Sequence, residues 1–259
     1  MAELLFWPAL FAYGEAALAF VGEARRPGLA GRFATWGVRL GWLAQTALLG
    51  VQAARSKGFP WTSWGGALNL FVWLVVGAYL IWGCRARFRL LGLVVIPPAA
   101  ALLALAHAGG GTRAARHADY GSLFLALHVG LVLAAFAGFT LAAALAALYL
   151  WQERRLKRRA RGILRVRVPS LSVLDDLAAR TIAVALPILT LGIGVGIGRL
   201  VESGGGIDAV VAVTLVTWAV YGVFLVLRYA AGWRGRRSAS LALVALTLVV
   251  ATLPIAHFS

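Results

Sequence analysis

Apolar runs long enough to cross a bilayer recur along the whole chain, each bounded by charges or turn-forming residues. A hydrocarbon core about 30 Å thick is crossed by about 20 residues of helix. Reading for such runs gives eight candidates, roughly 4–22, 35–54, 64–83, 89–106, 122–151, 181–199, 209–229 and 239–257. A water-soluble globule is excluded by composition: 61% of the residues are hydrophobic, 13% are charged, and the mean hydropathy is +0.85. Soluble chains carry about 25% charged residues, and half that proportion cannot cover a surface of this size. The expected fold is an all-α integral membrane protein, a single bundle of about eight transmembrane helices. Residues 1–259 form one membrane domain on this reading, with four spans in 1–119 and four in 120–259.

The charges orient the bundle. There are 25 Lys and Arg against nine Asp and Glu, a formal charge of +16. Counted loop by loop, nineteen basic residues fall on one side and five on the other, with Arg39 inside a span. Basic loops stay in the cytoplasm, so both termini are expected outside a bacterial cytoplasmic membrane. The same charges account for contact with anionic membrane lipid and make nucleic acid an unneeded partner. The first run has no basic flank before it and Arg25 and Arg26 after it, which reads as an anchor rather than a cleaved signal. Cys84 is the single cysteine, so the chain has no internal disulfide, no Cys-x-x-Cys redox pair and no covalent haem-attachment motif.

Within the spans, charge is rare. Glu15 and Arg39 each cost on the order of 2.5–3.5 kcal/mol at a helix centre. Their similar depths on successive helices predict a structural ion pair. The stretch Gly192–Ile193–Gly194–Val195–Gly196–Ile197–Gly198 has the wrong spacing for a dinucleotide loop and reads as a surface for close helix approach. Ser170 and Ser172 with Asp175 and Asp176 predict a short interfacial helix ahead of the sixth span. Pro97, Pro98, Pro187 and Pro254 are expected to kink their spans.

The chemistry-bearing candidates are histidines. His107, His117, His128 and His257 all fall on the outer side of this topology. His107 and His117 lie on or beside a Gly-rich basic loop and read as solvated residues. His128 lies about two helical turns inside the outer end of span five and His257 at the outer end of span eight, a depth suited to a shared ligand. Two imidazoles on facing helices can supply both axial ligands of a haem iron. Tryptophans such as Trp7, Trp61, Trp64 and Trp233 fit interfacial belts, while Trp73 and Trp218 lie deeper. No nucleophile elbow or phosphate-binding lysine loop occurs, so a hydrolase or ATPase has no candidate residues.

The second half carries a longer pattern. Leu127–His128–Val129 opens a long span, and Val168–Pro169–Ser170–Leu171 precedes Leu174–Asp175–Asp176–Leu177–Ala178–Ala179–Arg180. Leu186–Pro187–Ile188–Leu189, Thr217–Trp218–Ala219–Val220–Tyr221 and Gly232–Trp233–Arg234–Gly235 follow, and the chain ends on His257–Phe258–Ser259. Over residues 120–259 this resembles the cytochrome c assembly family, with its CcsA-type haem-handling and HemX-like branches. Before that, only Gly58–Phe59–Pro60 and Asn69 echo the pattern. The resemblance implies haem b held without covalent attachment by His128 and His257, with Asp208 and Trp218 as further cofactor-binding residues. A CcsB-like membrane partner and apocytochrome c are the implied partners. Gly204–Gly205–Gly206–Ile207–Asp208 stands where CcsA-type relatives carry a Trp-rich loop. Val226 and Gln45 stand where that branch carries histidines. These departures favour the HemX-like branch, which the resemblance ties to control of glutamyl-tRNA reductase without haem delivery. Either role is haem handling or regulation rather than enzymatic turnover.

Overall fold

The computed structural model describes residues 2–25, 28–55, 63–83, 85, 88–113, 123–158, 169–203 and 209–258. Within these, side chains are left aside at 2–3, 24–25, 82–83, 123–124, 199–203 and 251–258. The described residues are helical almost throughout. The helices are α1 (Ala2–Arg25), α2 (Leu29–Arg55), α3 (Trp64–Gly83), α4 (Arg89–Ala108), α5 (Leu123–Lys157), α6 (Leu171–Ser203), α7 (Ala209–Tyr229) and α8 (Arg236–Phe258). Six of them, α1 and α3 to α7, are long and apolar enough to cross a membrane. Helix α2 carries Arg32, Arg39 and Arg55 with Gln45 and Gln52, and α8 opens on Arg236 and Arg237. The protein is thus a multi-pass membrane protein built of helices.

The chain divides into two compact groups, one holding α1 to α4 and the other α5 to α8. In the first, α1 buries Phe6, Ala9, Tyr13, Ala16 and Phe20, a stripe at three- and four-residue spacing. Helix α2 runs antiparallel along α1, and glycines let the two backbones approach. A Cβ at Gly37 would stand 3.2 Å from Ala16, and one at Gly41 would stand 2.6 Å from the Tyr13 ring. Helix α4 packs on both α1 and α3.

In the second group α5 packs against α6 and α8, and α7 packs against the same two, so the four helices close on themselves. Residues Leu141 to Ala146 of α5 are all buried, which explains why this helix reads as apolar on every side. Helix α6 lies antiparallel to α5. A Cβ at Gly138 would meet Ala185 at 2.8 Å, and one at Gly192 would meet Val132 at 3.0 Å. Gly192 and Gly196 are therefore the close-approach pair of the glycine stretch, while Gly194 and Gly198 face open space. The turn into α8 uses left-handed backbone at Gly232 (φ 66°) and Gly235 (φ 70°), a conformation open to glycine at little steric expense.

Two expectations are corrected. There is no separate interfacial helix around residue 171: α6 starts at Leu171 and continues unbroken to Ser203. Leu174, Leu177, Ala178 and Ala179 are buried, so this opening segment belongs to the packed helix rather than the surface. The Glu15–Arg39 pair does not form either. Glu15 lies on the exposed face of α1, and Arg39 rests over the Trp36 ring, 4.9 Å from its centroid.

Candidate functional site

His128 lies in the second turn of α5, half-buried against the glycine face of α6. Its Nδ1 is 2.7 Å from the backbone carbonyl of Gly192. A carbonyl oxygen only accepts, so Nδ1 carries the hydrogen and donates it. In the neutral ring the lone pair then resides on Nε2, the tautomer that a metal-ligating imidazole uses when its other nitrogen is held by a carbonyl. Gly196 lets the ring sit there. A Cβ at position 196 would be 2.6 Å from His128 Cε1 and 2.8 Å from Nδ1. The ring is thus oriented by one hydrogen bond and one missing side chain, both from α6.

The remaining predicted residues divide as follows. His257 lies in the last turn of α8, and its side chain is outside the described residues. Tyr149 of α5 meets Gly235 at the start of α8, its hydroxyl 2.9 Å from a Cβ there. From that level His128 is about 32 Å along α5 and His257 about 33 Å along α8, at 1.5 Å per residue. The two positions thus share one end of adjacent helices. Asp208 is outside the described residues. Trp218 is in the middle of α7, 40% exposed, and its Nε1 donates to Thr190 Oγ1 at 2.9 Å. Thr190 is six residues from Gly196 on α6, so this indole lies about 9 Å deeper than the His128 ring. The structure does not bring Trp218 to His128.

At the opposite end of this group lies an ion cluster built around the buried side chains of Arg228 and Asp175. Arg228, from the last turn of α7, donates through Nη1 to Asp175 at 2.5 Å and through Nη2 to Asp176 at 2.6 Å. Nη1 also reaches the Trp233 carbonyl at 3.2 Å, and Asp175 accepts from the Gly235 backbone N–H at 3.1 Å. The arginine side chain is 4% exposed. The Asp175–Asp176 pair therefore locks the start of α6 to the α7–α8 turn. Sequence reading placed these aspartates in the first turn of an interfacial helix and gave them no partner.

The first group holds polar residues that sequence reading largely missed. Tyr13 donates to Gln45 Oε1 at 2.8 Å, and Gln45 Nε2 donates to Asn69 Oδ1 at 2.9 Å. Asn69 Nδ2 donates to Gln52 Oε1 at 3.1 Å, and Gln52 Nε2 donates to the Gly111 carbonyl at 2.9 Å. All four side chains are fully buried. This chain of amides pins the 109–113 turn onto α3, where Gly65 and Gly111 touch backbone to backbone. His107 is corrected here: it is a packed residue rather than a solvated loop residue. It stacks on Phe6 at 3.9 Å, and its Nδ1 is 2.6 Å from Thr112 Oγ1. His117 is outside the described residues. Among the described residues no cluster of His, Cys, Asp and Glu could hold a metal ion by itself.

Comparison with known proteins adds independent information. The chain is 27% identical to the "Cytochrome c biogenesis protein CcsA" of Gloeothece citriformis, an alignment covering 80% of this chain and 79% of that one. It is 29% identical to "Protein HemX" of Brevibacillus brevis, over 73% of this chain and 71% of the relative. The CcsA of Mesostigma viride is 22% identical over 84% of this chain and 80% of its own length. Residues 61–258 match the family model for cytochrome C assembly protein. With all of α3 to α8 inside that match, the chain belongs to the cytochrome c assembly protein family.

Proposed function

We propose that the protein handles haem for cytochrome c assembly, holding it near the outer face of a bacterial cytoplasmic membrane between His128 and His257. On this reading the whole chain is one membrane domain of eight spans with both termini outside. Family membership supports the role in assembly. The residues support the ligand. His128 is the one histidine of the second group with a described side chain, and its Gly192 hydrogen bond leaves Nε2 for a metal. That observation carries the proposal. His257 joins it by height, at the same end of the neighbouring helix α8.

The donor set fits haem b. The imidazoles of His128 and His257 would hold the iron, and apolar helix faces would suit the porphyrin. When bound, haem would supply the prosthetic group that a c-type cytochrome receives. The protein's part is to bind it, orient it and keep the imidazole tautomer set by Gly192. Asp208 and Trp218 would contribute to the outer opening and to the depth of the α6–α7 face, respectively. A CcsB-like partner and apocytochrome c would complete the assembly.

A second reading keeps the fold and drops the delivery. The likeness to HemX and the glycine run at 204–206 favour a regulator that docks glutamyl-tRNA reductase through the basic segment 152–180. The two readings separate in one experiment. Deletion of the gene removes covalently bound haem from c-type cytochromes on the first reading, and wild type but not the H128A chain restores it. On the second, c-type cytochromes persist and the reductase level changes instead.

A further inference from the structure

We propose that the exposed face of α1 and α2 is an interface between two copies of this chain, closed by reciprocal Glu15–Arg39 ion pairs. The exposed stripe of α1 carries Phe11 and Leu18, and that of α2 carries Phe33, Trp36, Leu40 and Leu43. Such a stripe by itself is what lipid covers. Glu15 changes that, because it lies near the middle of the α1 span, on this stripe, and has no ion-pair partner among the described residues. Ionisable groups at that depth are rare and turn inward or pair. Lipid offers it no partner.

The chain itself offers one. Gly37 meets Ala12 and Ala16, and Gly41 meets Ala12, which sets the α1–α2 register so that Glu15 is level with Val38. Glu15 and Arg39 therefore share a depth on neighbouring antiparallel helices. Arg39 is held over the Trp36 ring, and Trp36 is 58% exposed, so the cation is kept on the outer side of α2. Opposite charges at one depth on neighbouring antiparallel helices can be matched reciprocally by a second copy about a two-fold axis along the membrane normal. That operation puts Glu15 of each copy against Arg39 of the other, and Phe11 and Leu18 against the apolar stripe of α2. A different partner would need to reproduce this arrangement; a second copy has it by construction.

The test uses the full chain in lipid nanodiscs, with mass measured by native mass spectrometry. The wild type is expected at the mass of two chains. Glu15→Lys leaves two positive charges at this depth and Arg39→Glu leaves two negative ones, so each variant alone is expected as one chain. Co-expressed with different affinity tags, the two variants are expected to co-purify as a mixed pair, since each then supplies the charge the other lacks. Pairing within one chain would be broken in both variants and could not be rescued by mixing. A wild type at the mass of one chain overturns the proposal, as does a two-chain mass that both variants keep, or a mixed pair that never forms. Should one variant fail to fold, the mass of the wild type against that of the Glu15→Gln chain decides, with loss of the two-chain species expected.

Discussion

His128 and Gly196 occupy one space between two helices: the imidazole lies where a side chain on residue 196 would be, with Cε1 2.6 Å from the position of a Cβ. The clash partner is a ring that can swing, so filling the space moves the ring more than it strains the helix. Gly196→Leu is therefore expected to lower haem affinity by about 10- to 100-fold, the range for loss of a group that orients a ligating histidine. Helix content by circular dichroism should stay at the wild-type value. Haem titration of the purified variant is the check.

Arg228 answers two carboxylates and a carbonyl, and its loss strands Asp175 beneath the α7–α8 turn. Removing one partner of a buried pair costs about 3–5 kcal/mol. Arg228→Ala should lower stability by that amount in detergent unfolding, with Arg228→Lys falling between the two because an ammonium cannot span both aspartates as a guanidinium fork does. Equal stability of the wild type and the alanine variant would contradict the clamp.

Gln45 is the hinge of the amide chain, accepting from Tyr13 and donating to Asn69. Gln45→Leu leaves two buried groups unsatisfied, at about 1–3 kcal/mol. The expected signature is a lowered melting temperature with increased proteolysis of the 109–113 turn, which Gln52 and Asn69 otherwise hold. An unchanged melting temperature would count against a network that acts as a unit.

Gly111 touches Gly65 through backbone atoms, and a Cβ at 111 would be 2.0 Å from the Gly65 oxygen. Neither backbone can swing aside. Gly111→Ala should cost about 1–3 kcal/mol as an overpacked contact, read in the same unfolding measurement. Gly110→Ala, where space is open but φ is 76°, separates backbone strain from collision.

Much of this architecture was legible because membrane spans announce themselves as single apolar runs. Both ends of α3, the start of α4 and both ends of α7 coincide with the runs read from sequence. The misses share a physical cause, since depth along a helix can be counted but direction around it cannot. Glu15 and Arg39 were assigned the right neighbourhood and the wrong aim. Asp175 and Asp176 looked like solvent-facing first-turn residues because Arg228 lies more than fifty positions away, a partner only packing reveals. Gln45 and Gln52 share a seven-residue spacing on α2, but Tyr13 and Asn69 lie on other helices, so the network became visible only once three helices were side by side. The depth of His128 along its helix could be counted, while the Gly192 carbonyl that sets its tautomer was hidden inside a stretch read as packing.

The most direct measurement is the electron paramagnetic resonance spectrum of haem-loaded protein and of its two single-histidine variants. Ligation by both imidazoles predicts a low-spin ferric signal in the wild type that becomes high-spin in His128→Ala and again in His257→Ala. A low-spin signal that survives both substitutions, or a wild type that takes up no haem, would contradict it.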